Sequence, residues 1–130
     1  MQEVYEFLKA CKTYYLATCE GDQPRVRPFG TVDIFEGRLY IQTGLVKDVA
    51  KQMLAHPKVE LCACQDGRWL RVSAETVLDP RREAKVHMLD QYPHLKARYD
   101  PDDENTAVFY LQNATATFSS FTEPPRTVRF

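Results

Sequence analysis

The chain lacks the cysteine density of a secreted disulfide scaffold, and other shortages narrow the reading further. The 130 residues hold four thiols, Cys11, Cys19, Cys62 and Cys64, fewer than a secreted disulfide scaffold of this size would carry. Cys62 and Cys64 stand two apart and share a strand face, without the CxxC spacing or second ligand pair of a zinc site. Inert thiols and no metal site are expected. Neither sign of charge dominates: 17 Lys and Arg face 18 Asp and Glu, a net charge of −1. A general nucleic-acid coat needs a marked basic surplus, so nucleic acid is not an expected partner. No apolar run nears the roughly 18–20 residues of a membrane span, and no charged-then-apolar leader opens the chain. A cytoplasmic protein without a membrane partner is expected, in which the sequon Asn113-Ala114-Thr115 reads as a turn into a strand. GxSxG, GxGxxG and P-loop motifs are missing. His56 stands before Pro57, where a helix stops, and His87 and His94 lack ligand spacing, so all three read as surface or packing residues.

The residues that are present describe mostly strands. The length suits one domain, 1–130, with a substantial core. Val4, Phe7, Leu8 and Cys11 fall at helical spacing. "TYYLATC" (13–19) predicts a strand, "EGDQP" (20–24) a turn, and a second strand runs from about Pro24 to Phe35. After "EGR" (36–38), "LYIQT" (39–43) returns as a third strand of an antiparallel meander. "LVKDVAKQMLAHP" (45–57) is the clearest helix, with Val46, Val49, Ala50, Met53 and Leu54 as its buried stripe and Pro57 as its stop. "KVELCAC" (58–64) and "RWLRVSAETVLD" (68–79) form a hairpin about "QDG". Residues 80 to about 98 look helical and broken near Pro93. The loop "PDDEN" (101–105) precedes two last strands, "TAVFYLQ" (106–112) and "ATATFSSF" (114–121), where Phe118 and Phe121 read as core or dimer packing. About seven antiparallel strands with short turns and few helices predict a mainly β fold: a small barrel with α-helices at its ends.

"RVRPFG" (25–30) is the unusual stretch. Strand alternation puts Val26, Pro28, Gly30, Val32 and Ile34 on one face, suited to a barrel interior. Arg25, Arg27, Phe29, Thr31 and Asp33 take the other, which must meet water, a partner chain or a ligand, because two unpaired buried guanidiniums would be prohibitive. Pro28 interrupts the ladder beside them. A solvated face with Arg27 paired to Asp33 or another carboxylate is the plainer alternative. A second stretch, "QTGLVKDVAKQ" (42–52), leads from a strand end through Thr43-Gly44 into the clear helix. Helix starts present unpaired N–H groups and partial positive charge, a natural anion seat. Lys47 and Lys51 are four apart and share a helix face. A threonine hydroxyl, a glycine allowing close approach and two ammoniums suit a phosphate monoester.

With these two stretches, "RWLRVSAETVLD" and the closing "ATATFSSFTEPPRTVRF", most of the chain resembles the FMN-binding split β-barrels related to pyridoxamine 5′-phosphate oxidase. It is most similar to their short bacterial, nitroimidazole-resistance-like branch. The resemblance implies an antiparallel, Greek-key-like split barrel and FMN in a cleft between the subunits of a homodimer. The strand matching Arg25, Val26, Arg27, Pro28 and Phe29 would run beside the flavin, with Arg27 the better direct contact. Gln42, Thr43 and Gly44, with Lys47 and Lys51, would hold the phosphate. Trp69 would reach the flavin from the other subunit, or only pack at the interface. The stretch "LVKD" stands where the oxidases carry a Ser-Arg-Lys cluster, and their longer C-terminal segment has no counterpart here, so oxidation of pyridoxamine phosphate is not expected.

No acid–base constellation stands out, which a flavoprotein does not require, because the cofactor carries the redox chemistry. The resemblance therefore implies an FMN-dependent oxidoreductase passing electrons from a donor such as NAD(P)H to a small organic acceptor such as a nitroaromatic or quinone. Two other readings stay open: a flavin carrier, store or sensor without turnover, and a barrel that is cofactor-free or holds haem or another ligand.

Overall fold

A computed structural model describes all residues, 1–130. The chain opens with helix α1, Gln2–Cys11, which buries Val4, Phe7 and Leu8. Strand β1, Tyr14–Glu20, alternates Tyr14, Leu16 and Thr18 inward. It turns at Gly21, whose φ of 61° suits glycine, into β2, Gln23–Phe29. Short β3, Asp33–Phe35, and β4, Arg38–Gly44, form a second hairpin. Helix α2, Asp48–Ala55, leads to β5, Lys58–Gln65, and β6, Arg68–Asp79. These last two meet at Asp66-Gly67, where φ values of 53° and 74° match a two-residue hairpin turn. Helix α3, Arg82–Gln91, is followed by a 3₁₀ segment, Pro93–Ala97, then β7, Thr106–Ser120, and β8, Arg126–Arg129. No helix is long and apolar enough to cross a membrane.

All pairings are antiparallel, in the order β2-β1-β5-β6-β7-β4-β3, with β8 also on β7. The fold is thus mainly β, with three helices, and forms a split barrel. Its core joins Leu16, Ile41, Leu61, Leu70, Val72 and Phe109 from the strands to Leu8 of α1 and Met53 of α2. A smaller cluster of Tyr40, Met88 and Val108 lies under α3.

Four local expectations are corrected. The strand expected from Pro24 to Phe35 is two strands at opposite ends of the sheet order, and the three-strand meander does not form, since β2 pairs only with β1 and β3 only with β4. Gly30 to Val32 cross between them, and side chains take over the backbone hydrogen bonding a ladder would supply. Tyr14 Oη donates to Thr31 O at 2.6 Å, and Gln42 N–H donates to Thr31 Oγ1 at 3.0 Å. Val32 N–H donates to Tyr92 Oη, and that hydroxyl donates to Val32 O, both at 3.0 Å.

The alternation fails in part, although Val32 is buried and Ile34 packs on the core as expected. Val26, expected inside, is 68 % exposed, whereas Thr31 and Asp33 are buried. As an edge strand with one partner, β2 has a single covered face, the one carrying Arg27 and Phe29. Helix α2 starts at Asp48, so Val46 lies before it and is exposed, as is Leu54; buried Gln52 takes a place in the stripe. Finally, the two last strands are one, β7, bent at Asn113 (φ 51°), where its register on β6 shifts between Ser73 and Glu75.

Candidate functional site

Where Gly30 to Val32 cross, a cleft of about 570 Å³ opens, within the range that holds small organic ligands. Thr31, Gln42 and Thr43 line it from the crossing and β4, Arg27, Pro28 and Phe29 from β2, and Lys47 and Val49 from the start of α2. Leu8, Lys9 and Lys12 from the end of α1 and Tyr92, His94, Leu95, Arg98 and Tyr99 from the 3₁₀ region complete the lining. Arg27, Pro28, Phe29, Gln42, Thr43 and Lys47 were expected at a ligand site, and the fold brings them together.

Arg27 is the best-defined cation. Its Nη1 donates to Thr18 Oγ1 at 2.7 Å and to Leu16 O at 3.2 Å, and its Nη2 donates to Gln52 Oε1 at 2.7 Å. Gln52 is 7 % exposed and is itself held, accepting from Thr18 Oγ1 at 2.5 Å and donating to Glu20 Oε2 at 3.3 Å. Every acceptor on Arg27 is neutral, so the guanidinium is fixed in place without an ion pair. Burial lowers its pKa, Asp48 acts in the opposite sense and Arg25 adds to the lowering. The pairing with Asp33 offered by the plainer reading does not occur: Asp33 Oδ2 lies 2.6 Å from His87 Nδ1.

Lys47 caps α2, and the helix's first N–H to bond back is that of Ala50, to Lys47 O at 3.1 Å. The N–H groups of Asp48 and Val49 precede that bond, which leaves the helix start as a donor-rich edge beside the cleft.

Five other expected residues stand elsewhere in this chain. Arg25 faces Glu20, with Nη2 to Oε1 at 2.8 Å, and Val26 points away from the cleft. Lys51 does not share a face with Lys47, which lies outside the helix; it lines a separate groove with Cys19 and His56. Gly44 answers to a neighbour: a Cβ there would sit 2.8 Å from Asn105 Nδ2, and Asn105 accepts the N–H groups of Leu45 and Val46 at 2.7 and 3.0 Å. Trp69 packs on Phe121, ring centroids 5.0 Å apart, over a groove shared with Phe7 and Arg126.

The cysteines are all free. Burial raises the Cys11 and Cys62 thiols, which disfavours thiolate chemistry. No group of three or more His, Cys, Asp or Glu is arranged to hold a metal.

Sequence reasoning missed the second wall. Lys9 and Lys12 at the end of α1 gave no signal, and that of Tyr92, His94 and Arg98 was the mixture of cations and aromatics in "YPHLKARY" (92–99).

Residues 1–120 match the pyridoxamine 5′-phosphate oxidase family. The chain is 44 % identical to a NimC/NimA family protein from Clostridium acetobutylicum whose crystal structure is known, over 100 % of this chain and 92 % of that one, with a TM-score of 0.97. General Stress Protein 26 from Bacillus anthracis shares the fold at 16 % identity, a TM-score of 0.76 and coverage of 99 % and 97 %. A heme binding protein from Mycobacterium smegmatis does so at 13 % identity and a TM-score of 0.68, over 96 % of this chain and 56 % of that one. No curated protein matches. The chain belongs to the pyridoxamine 5′-phosphate oxidase family.

Proposed function

We propose that this chain is a flavoprotein that binds FMN in the cleft and acts as an oxidoreductase, passing electrons from a reduced donor such as NAD(P)H to a small organic acceptor in the cytoplasm. One observation carries the reading: the lining holds five Lys and Arg residues and no Asp or Glu. That lining suits an organic phosphate, and the oxidase family supports a redox role. Arg27, fixed by neutral oxygens, keeps its charge for the ligand. Lys47 and the α2 start would hold the phosphate, and Phe29 with Pro28 would cover the ring system. FMN itself supplies the redox chemistry, so the residues bind, orient and exclude water. A homodimer with the cofactor at its seam would bring the partner subunit's Trp69 to the site.

Purified protein mixed with FMN and passed through a desalting column should keep a band near ~450 nm, a property of oxidised flavin. Anaerobic NADH or NADPH should then bleach it. A colourless protein ends the flavin reading, and a stable yellow one that no donor bleaches leaves a carrier or sensor. Haem is the second reading, favoured by the imidazole of His94 on the cleft wall; a strong band near ~400 nm on adding haem, with none from FMN, would select it.

A further inference from the structure

Gln52 is the polar member of the apolar stripe of α2, 7 % exposed, and both ends of its amide are used. Burying an amide is unfavourable unless its atoms are hydrogen-bonded, and here they join two groups of opposite charge. Oε1 accepts from Arg27 Nη2 at 2.7 Å and from Thr18 Oγ1 at 2.5 Å, while Nε2 donates to Glu20 Oε2 at 3.3 Å. The orientation is forced, because a guanidinium can only donate and an ionised carboxylate can only accept. Glu20 and Arg27 therefore stand one amide apart and form no ion pair.

Arg25 completes the arrangement from outside the cleft. Its Nη2 and Nε donate to Glu20 Oε1 at 2.8 and 3.3 Å, so each oxygen of that carboxylate has its own donor. Arg25 first, then Gln52, lower the Glu20 pKa, which keeps the group ionised and occupied. Side chains of β1, β2 and α2 thus run in the order Arg25, Glu20, Gln52, Arg27. Asp48, the other acid that acts on Arg27, is outside ion-pair distance of it. A carboxylate in contact with Arg27 would cancel the charge that an anionic ligand meets at the cleft wall.

We propose that Gln52 is a positioning residue that sets the preference of the cleft for a phosphate ester: it holds Arg27 at the cleft wall and keeps Glu20, itself occupied by Arg25, from pairing with it. The assignment rests on the flavin reading and deepens it, because it names what leaves the Arg27 charge available. It also gives Arg25 a part in binding through Glu20, although Arg25 does not line the cleft. A phosphate monoester carries about −1.5 to −2 charges at neutral pH, so the effect falls on ligands that bear the phosphate and spares those that lack it.

Calorimetric titration tests this with two probe pairs, FMN against riboflavin and phenyl phosphate against benzyl alcohol. Gln52→Glu keeps the shape and places a carboxylate on Arg27; it should weaken FMN about tenfold or more, the scale of a hydrogen bond to a charged group, and riboflavin by less than about twofold. Gln52→Met, which removes the amide and adds no charge, should cost FMN about threefold. Arg25→Gln, which releases Glu20, should also weaken FMN about threefold or more, and Glu20→Gln in that background should restore it to within about twofold. The Arg25→Gln ratio to wild type should persist in about 0.5 M salt, where a long-range field is screened. Parallel losses of FMN and riboflavin in the Gln52 variants show a packing role and overturn the proposal, as does an Arg25→Gln loss that salt abolishes or that Glu20→Gln does not reverse. Should Gln52→Glu fail to fold, the Arg25 and Glu20 variants decide. If wild type ignores FMN but prefers phenyl phosphate and the variants lose that preference, the flavin reading falls and the role of Gln52 stands. No phosphate preference in either pair overturns both.

Discussion

Arg27 and Lys47 owe their value to what surrounds them. The oxygens on Arg27 fix its direction without cancelling its charge, whereas Arg25, two residues earlier, is neutralised by Glu20. Arg27→Ala or Lys47→Ala should weaken FMN binding by about 1–3 kcal/mol, the range for hydrogen bonds to charged groups. Riboflavin, which lacks the phosphate, should be much less sensitive to Lys47→Ala. Equal losses for both ligands, measured by fluorescence titration, would show that Lys47 does not read the phosphate. Gly44 gives a contrasting case, where the constraint is packing. Gly44→Ala would press on Asn105 Nδ2, and Asn105 cannot swing aside without releasing Val46 N–H. A loss of about 1–3 kcal/mol in denaturant unfolding is expected, most of it removed in an Asn105→Ala background.

Single elements are tied together by polar contacts that their own sequences do not show. Asp79, at the end of β6, accepts Tyr40 Oη from β4 at 2.7 Å and the Arg81 side chain at 2.9 Å, and its Oδ1 accepts Arg81 N–H at 3.0 Å before α3 begins. The Arg81 hydrogen bond, then those of Tyr40 and the Arg81 backbone, lower its pKa to about 2 against the opposing effect of burial. Asp79 is 5 % exposed. A carboxyl more acidic when folded stabilises the fold fully above its unfolded value of 3.8. That contribution, about 2 kcal/mol, fades as pH falls from there through about 2. Asp79→Asn should cost about that much at pH 7 and flatten the loss of stability between about pH 4 and 2; urea unfolding at several pH values measures both. An unchanged acid slope would remove Asp79 from the acid response.

At the scale of the whole molecule, the sheet order decides what meets what. Because β2 and β3 lie at opposite ends of the path, the short link between them crosses the open side, and the cleft forms there. Phe121, 89 % exposed and packed at a tilt on Trp69, leaves an aromatic surface outside the cleft, which fits a second copy of the chain. Sedimentation should find a dimer. A monomer that still binds FMN with unchanged affinity would remove Trp69 from the site.

The elements and their order were legible because periodicity is local: Val4, Phe7 and Leu8 on α1 and the alternation along β5 are set by neighbours a few residues apart. So were the residue types proposed to hold an anion, Arg27, Thr43 and Lys47, which lie in two short stretches. The break at Gly30 to Val32 was not, because it depends on Tyr14, Gln42 and Tyr92 supplying hydrogen bonds from other elements. Nor was the membership of the cleft. Lys9, Lys12 and Arg98 join Arg27, while Arg25 and Lys51 do not, through packing between segments distant in the chain. The sequence by itself determined most of the strands, the positions of the helices and the residue types able to hold an anion. Only the tertiary structure decided which of those cations share one space, because that depends on sheet order and on non-local contacts.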